Sequence, residues 1–164
     1  EELLQYYQKN KSQYVLESSI LQCLFVKLSK PVKNIKQFKS WWESDHPENQ
    51  EEFIEYCQSY ANIYLLEDST WYRSETIAGY LPDEYSTTPA SEWPEKIETE
   101  DSSYHYFLRI LNTVPSKEIA PLPFIEEQAK RVILHKRKLG LLEEAKNRLY
   151  EKALRENKVK IFIE

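Results

Sequence analysis

Side chains able to do covalent or acid–base chemistry are sparse in this chain. Cysteine stands at 23 and 57, and histidine at 46, 105 and 135. A thiol beside an imidazole makes a nucleophile, so Cys23 with His105 is the first pair to weigh. Both residues sit in strings that read as strands. His105 and Tyr106 then point to opposite faces, and only one of them shares a face with Cys23. No helix N-terminus or basic cluster stands near Cys23 to lower its pKa. Cys23 and Cys57 have no metal-binding or redox spacing and read as buried apolar thiols, with a disulfide left open for an oxidising compartment. His46, in "SDHPEN" beside Asp45 and Glu48, reads as a polar helix end, with a weak metal site as the alternative. His135, in "KRVILHKRK", reads as part of a solvated helix face, with an acidic partner or lipid headgroups as the alternative. No metal and no cofactor is expected.

Aromatic residues are the second resource, with four tryptophans and twelve tyrosines. That is too many for one site, so most belong to the core. They also supply large contact areas with polar tips, which suits capture of polypeptide.

The elements that position these groups follow from the pattern of apolar residues. "EELLQYYQKNKSQY" is a short helix with Leu3, Leu4 and Tyr7 on one face. In "ILQCLFVKL", Leu21, Cys23 and Phe25 point one way and Ile20, Leu24, Val26 and Leu28 the other. Such a strand is covered on both sides. "NIKQFKSWWESDHP" is a helix broken at Pro47. "NQEEFIEYCQSYANIYLLED" carries a helical stripe of Phe53, Cys57, Tyr60, Ala61 and Tyr64. A short helix runs over about 74–81. Residues 83–103 hold seven acidic residues against one lysine, with Pro89 and Pro94. They read as an exposed, partly irregular loop pinned by Trp93 and Ile97. "YHYFLRILNTV" is a second strand. One long helix then spans about 124–157, where Gly140 marks a close packing contact or a slight bend. "KVKIFIE" ends the chain as a short strand.

Chain length suits one domain or a domain plus an appended element, and 41% hydrophobic residues are enough for a core. The net charge of −5 argues against a general nucleic-acid binder. Two glycines exclude most glycine-rich phosphate loops. No apolar run is long enough to cross a bilayer. The chain starts at Glu1 and contains no methionine, so a missing targeting segment says nothing about compartment.

Taken in order, "ELLQYYQKNKSQYVLESSILQCLFVKL", "FIEYCQSYA", "DSTWYRSETI", "YHYFLRILNTVPSKEIAP" and the tail "AKRVILHKRKLGLLEEAKNRLYEKALRENKVKIFI" resemble the parvulin-type peptidyl-prolyl isomerases, in particular the SurA-like envelope chaperones. The resemblance covers most of the chain and keeps Asp68, Trp71 and Tyr72 of one family stretch. It departs from the family at the chemistry. Cys23 and Tyr106 stand where the family has histidines. Asn62, within 61–63, stands at an acidic or cysteine position. "LLEDST" replaces a glycine loop, Glu75 a further glycine, and about Ile77 the pocket methionine. Prolyl isomerisation breaks no bond. It lowers a barrier of about 18–20 kcal/mol by binding a twisted amide, which needs an apolar seat and nearby polar groups. Joint loss of these groups implies a module with little or no isomerase activity.

The resemblance implies an α+β, parvulin-like fold: a small, mainly antiparallel sheet with flanking helices, a long C-terminal helix and a short terminal strand. The division expected is a leading helix over 1–16, a degenerate parvulin-like domain over 17–115, and a long helix with strand, like a chaperone module, over 116–164. The function implied is a non-catalytic chaperone or peptide-binding module of the bacterial cell envelope; an active but atypical isomerase is the alternative. Trp71, Tyr72, Ile77 and Tyr106 are expected either to line a peptide groove or to fill the vanished proline pocket. Partners implied are unfolded or extended polypeptide, outer-membrane proteins among them, and a second copy through the long helix. The place implied is the periplasm, with lipid anchoring through a preceding segment. The chain is then a fragment of a larger envelope protein or a compact relative of one.

Overall fold

The computed structural model describes residues 1–44 and 50–156. Chain order is α1 (Glu2–Asn10), β1 (Ile20–Ser29), α2 (Ile35–Glu43), α3 (Gln50–Tyr60), β2 (Ala61–Leu65), β3 (Trp71–Arg73), α4 (Ser74–Ala78), β4 (Lys96–Glu100), β5 (Tyr104–Val114) and α5 (Leu122–Arg155). The strands form one antiparallel sheet in the order β2-β1-β5-β4, with β3 pairing β1 beyond the end of β2. The expected α+β class, with flanking helices and a long C-terminal helix, is therefore present. Among the described residues no helix is long and apolar enough to cross a membrane.

β1 is the central strand because both of its faces are apolar. Leu21, Cys23 and Phe25 are buried on one face, and Ile20, Val26 and Leu28 on the other. β5 pairs along its whole length, from Ile20↔Val114 to Ser29↔Tyr104, with Leu111 as an extra residue where the register shifts. The sheet separates three clusters. On the Cys23 face, Leu21, Phe25, Tyr106, Leu108 and Ile97 pack under α4. On the other face α2 and α3 bring Phe38, Trp42, Phe53, Tyr56 and Cys57 onto Val26, Leu28 and Phe107. Further along that face α5 adds Ile125 and Ala129 to Leu16 and Ile20, with Tyr7 and Trp71 at the margin. Each fully buried aliphatic or aromatic side chain here contributes roughly 1.5–3 kcal/mol.

Three segments differ from the sequence reading. The helical stripe of Phe53 and Cys57 does not run on to Tyr64: α3 ends at Tyr60 and the chain passes into β2 without a turn. Ala61 and Tyr64 fall at helical spacing by coincidence, and only pairing to β1 distinguishes the strand. β3 is three residues long, too short to show alternation. Within 83–103 the chain forms two 3₁₀ turns and then strand β4. Trp93 and Ile97 do pin this segment, being 8% and 3% exposed.

α5 starts with Pro121 and Pro123 about its first turn, where a missing N–H costs nothing, and extends 34 residues. Its first half packs under α1, where the Arg137 guanidinium pairs with the Glu2 carboxylate and Tyr7 donates to the Ala120 carbonyl at 2.9 Å. Gly140 is not a close contact, since a β-carbon there would meet nothing within 4 Å. Every residue from 134 to 152 is exposed. The expected terminal strand and His46 lie outside the described residues.

Candidate functional site

The Cys23 face of the sheet is where the sequence resemblance puts chemistry, and it is solid. Cys23 is fully buried, and burial pushes its thiol up to about 12. Cys57 is buried on the far side of the sheet and is likewise pushed up to about 12. Both cysteines are free, and the sheet stands between them, so each is the packed thiol that its surroundings suggested. His105 offers Cys23 no base. It pairs with Leu28, five positions along β1 from Cys23, and its ring lies 6.5 Å from Phe107 on the opposite face.

Of the three positions where the sequence resemblance puts isomerase residues, the fold brings two together. Cys23 and Tyr106 share one cluster. Asn62 does not join them. It is the extra residue of a bulge between Lys27 and Leu28, it is exposed, and its amide oxygen accepts a hydrogen bond from the Ser29 hydroxyl. Ile63 and Leu65 are the β2 residues that pack onto the Cys23 cluster instead. The four residues weighed as a groove also divide. Tyr72, Ile77 and Tyr106 belong to the Cys23 cluster, whereas Trp71 points to the other face and joins Leu16 and Ile20. Adjacent strand residues face opposite ways, so Trp71 and Tyr72 cannot line the same wall. Ile77 is 0% and Tyr106 3% exposed, so no open groove lies over them.

What closes this face is the segment 79–95, most of which falls in the 83–103 stretch read from the sequence as an exposed, partly irregular loop. Leu81, Ala90 and Trp93 are buried beneath it, with Tyr80 and Tyr85 packed beside them. Tyr80 lies over Phe25 at 5.8 Å, and Tyr85 meets Trp93 edge-on at 6.0 Å. The strap is held by its own short bonds: the Trp93 indole N–H donates to the Thr88 carbonyl at 3.0 Å, and the Thr87 and Thr88 hydroxyls donate to the Glu84 carbonyl at 3.2 and 3.1 Å. Its charged residues face water while a few apolar anchors enter the core. Because those anchors follow no regular period, the pattern read as loop.

At the turn joining β4 to β5, Asp101 organises a polar cluster. One carboxylate oxygen accepts the Ser103 and Tyr104 backbone N–H groups at 2.7 Å each, and the other accepts the Tyr106 hydroxyl at 2.6 Å. Lys27 lies 4.3 Å over the Tyr104 ring and 5.0 Å from that of Tyr106. The Tyr106 bond is the first cause that holds the Asp101 carboxyl below its usual range; burial first, then Asp101, raises the Tyr106 hydroxyl. Alongside, Glu100 accepts from Lys30 at 3.0 Å and from His105 Nδ1 at 2.8 Å. Burial lowers the His105 pKa, and Lys30 lowers it further.

These shifts set a pH dependence. A lowered carboxyl stabilises the fold above its unfolded value near pH 4, and that stability goes as pH falls through the folded value. A raised hydroxyl stabilises below its unfolded value of about 10, and that stability goes as pH rises. Urea unfolding across pH should therefore show the largest gap between the native chain and Tyr106→Phe between about pH 4 and 10, narrowing at both ends. A gap independent of pH would show that the Asp101–Tyr106 bond carries no linkage.

The strap creates two surface hollows. One, of about 460 Å³, lies between the strap and α4, lined by Glu75, Tyr85 and the hydroxyls of Ser86, Thr87 and Thr88. The other, of about 410 Å³, lies between the strap and the far end of β5. Neither was indicated by the sequence, because both arise from a loop returning over a strand distant in the chain.

No protein-family model matches this chain. No curated protein matches it either. A solved structure reported with PEB4, a virulence factor, and the periplasmic protein Cj1289, two SurA-like chaperones of Campylobacter jejuni, aligns with 99% of this chain at 11% identity and a TM-score of 0.38. The chain spans 63% of the length of that protein. Likeness at this level assigns neither a family nor an activity.

Proposed function

We propose that this chain is a non-catalytic relative of the parvulin isomerases that binds unfolded or extended polypeptide in a bacterial cell envelope. One observation carries the non-catalytic part. The sheet face where the sequence resemblance puts the proline seat is filled by Cys23, Ile77 and Tyr106 and roofed by Leu81 and Trp93, all buried. An isomerase must hold the twisted amide between an apolar seat and polar groups, and a filled face admits neither ring nor amide.

Polypeptide binding is supported by apolar surface left uncovered. Leu134, Leu139, Leu141, Leu142, Leu149 and Tyr150 on α5 are between 49% and 69% exposed. Large apolar side chains gathered on one exposed element mark an interaction surface. The same residues fit a second copy of the chain as partner. Outer-membrane proteins as clients, the periplasm as location and a lipid anchor rest on the sequence resemblance.

The test has two arms. In the first, cis–trans exchange of an Xaa-Pro peptide and the refolding of a proline-limited protein are followed with and without the chain. Both are expected to keep their uncatalysed times of tens to hundreds of seconds at 25 °C. Acceleration of the kind an active parvulin gives would overturn the non-catalytic reading. In the second, an unfolded outer-membrane protein is diluted from urea, and the chain is expected to suppress its aggregation near equimolar ratio. Unchanged aggregation would overturn the binding reading. Sedimentation velocity on the same samples decides the second copy, which a concentration-independent monomer would remove.

A further inference from the structure

We propose that the outer edge of β5 from Leu111 to Val114 is a docking site for an extended polypeptide segment of apolar and basic residues, which adds to the sheet as a short strand in line with β4. This deepens the polypeptide-binding reading above and rests on it.

β4 covers only half of β5. Their pairing runs from Glu100↔His105 to Lys96↔Arg109, and one further bond, from the Ile110 N–H to the Glu95 carbonyl at 2.8 Å, closes it. β5 itself continues to Val114, held on its inner side by Gln22, Leu21 and Ile20 of β1. Among the described residues no backbone group bonds its outer side past Ile110. That edge therefore offers a row of unpaired N–H and C=O groups, alternate residues repeating about every 6.8 Å. Another extended backbone matches that spacing, which is why open edges recruit strands.

Two features set this stretch apart from the outer edge of β4, which carries Lys96, Glu98 and Glu100, all exposed, as natural edges blunted by charge do. The bulge at Leu111 stands where the stretch begins, and beyond it β5 pairs regularly with β1 to Val114. Leu111, Asn112, Thr113 and Val114 carry no charge at all. The edge also opens into the hollow of about 410 Å³, whose lining includes Trp93, Ile110, Leu111 and Pro115. Leu111 is 38% exposed there. An added strand would place alternate apolar side chains against this lining while its backbone paired with β5.

Charge selects the occupant. Among the described residues Glu95 is the one charged residue lining the hollow, and Glu92 stands exposed just before it. A segment carrying lysine or arginine gains from this rim. A second copy pairing through the same edge would bring two acidic rims together.

The probe is a fluorescein-labelled nine-residue peptide of alternating valine and lysine, titrated against the full chain by fluorescence anisotropy. Saturable binding is expected, weakened at least about tenfold in Leu111→Lys, which places a like charge at the centre of the site. A peptide N-methylated at alternate residues in one phase should lose binding, because its donors to β5 are gone; the other phase should retain it. No binding, equal binding by Leu111→Lys, or indifference to both N-methyl phases would overturn the site. So would a dimer that Leu111→Lys abolishes, which would make the occupant a second copy. Aggregation suppression on the same two proteins separates the readings. If it persists while the peptide fails to bind, the edge is wrong and the wider function stands. If it is absent from the native chain, the wider function fails.

Discussion

Trp93→Ala is expected to destabilise the chain by about 3–5 kcal/mol and to uncover the sheet face beneath the strap. Trp93 is 8% exposed, meets Tyr85 edge-on, and its indole N–H ties the strap to itself through Thr88. Truncation removes the largest anchor of 79–95 and leaves a cavity that a chain held mainly by local 3₁₀ turns fills poorly. Small domains retain about 5–15 kcal/mol in total, so this is a large share. Urea unfolding gives the loss. Binding of an apolar dye and early proteolysis within 83–92, below the unfolding transition, give the uncovering. A variant that loses stability without dye binding or strap cleavage would show Trp93 to be ordinary core, not the pin of a lid. A variant within 1 kcal/mol of the native chain would contradict both parts.

Phe38→Ala should cost a similar amount, about 3–5 kcal/mol, by a different route. Phe38 is fully buried, with ring centroids 4.8 Å from Phe107, 5.3 Å from Tyr56, 5.5 Å from Phe53 and 6.2 Å from Trp42. It joins α2, α3 and β5 in one stack, so its loss weakens contacts between elements far apart in the chain. Such aromatic pairs add about 0.5–1.5 kcal/mol each beyond their buried area. The urea midpoint should fall with little change in m-value, and near-ultraviolet circular dichroism should weaken before far-ultraviolet. Phe38→Leu, which keeps most of the apolar volume, should recover part of the loss. Equal loss in both variants would place the effect in α2 itself rather than in the ring stack.

Much of the frame was legible from residue periodicity. β1 carries apolar residues on both faces, and that alone requires cover on both sides; the structure supplies α4 with the strap on one and α2, α3 and α5 on the other. The long helix reads from its spacing to within two residues at either end of its observed span. Trp93 and Ile97 stand out as anchors because they are apolar in an acidic stretch. What failed to show were elements without a period of their own. β2 continues the helical spacing of α3 by chance, β3 is too short, and β4, "KIETE", has one buried residue, Ile97.

The candidate site divides in the same way. Strand alternation put His105 and Tyr106 on opposite faces, because alternation is a local property of the backbone; the pairing of β1 with β5 decided that Tyr106 is the one that shares a face with Cys23. Whether that face was open, and whether Trp71 or Asn62 joined it, depended on register. A bulge at Asn62 and the pairing of Trp71 with Gln22 decided both. The strap over the face and the unpaired end of β5 come from contacts between segments distant in sequence, governed by packing and loop closure. From the sequence alone came the α+β elements, the double-sided central strand and a resemblance whose site positions carry Cys23, Asn62 and Tyr106. Only tertiary structure decided that the sheet face bearing Cys23 and Tyr106 is filled and roofed, because a cavity is a property of what packs across a face and not of the residues that line it.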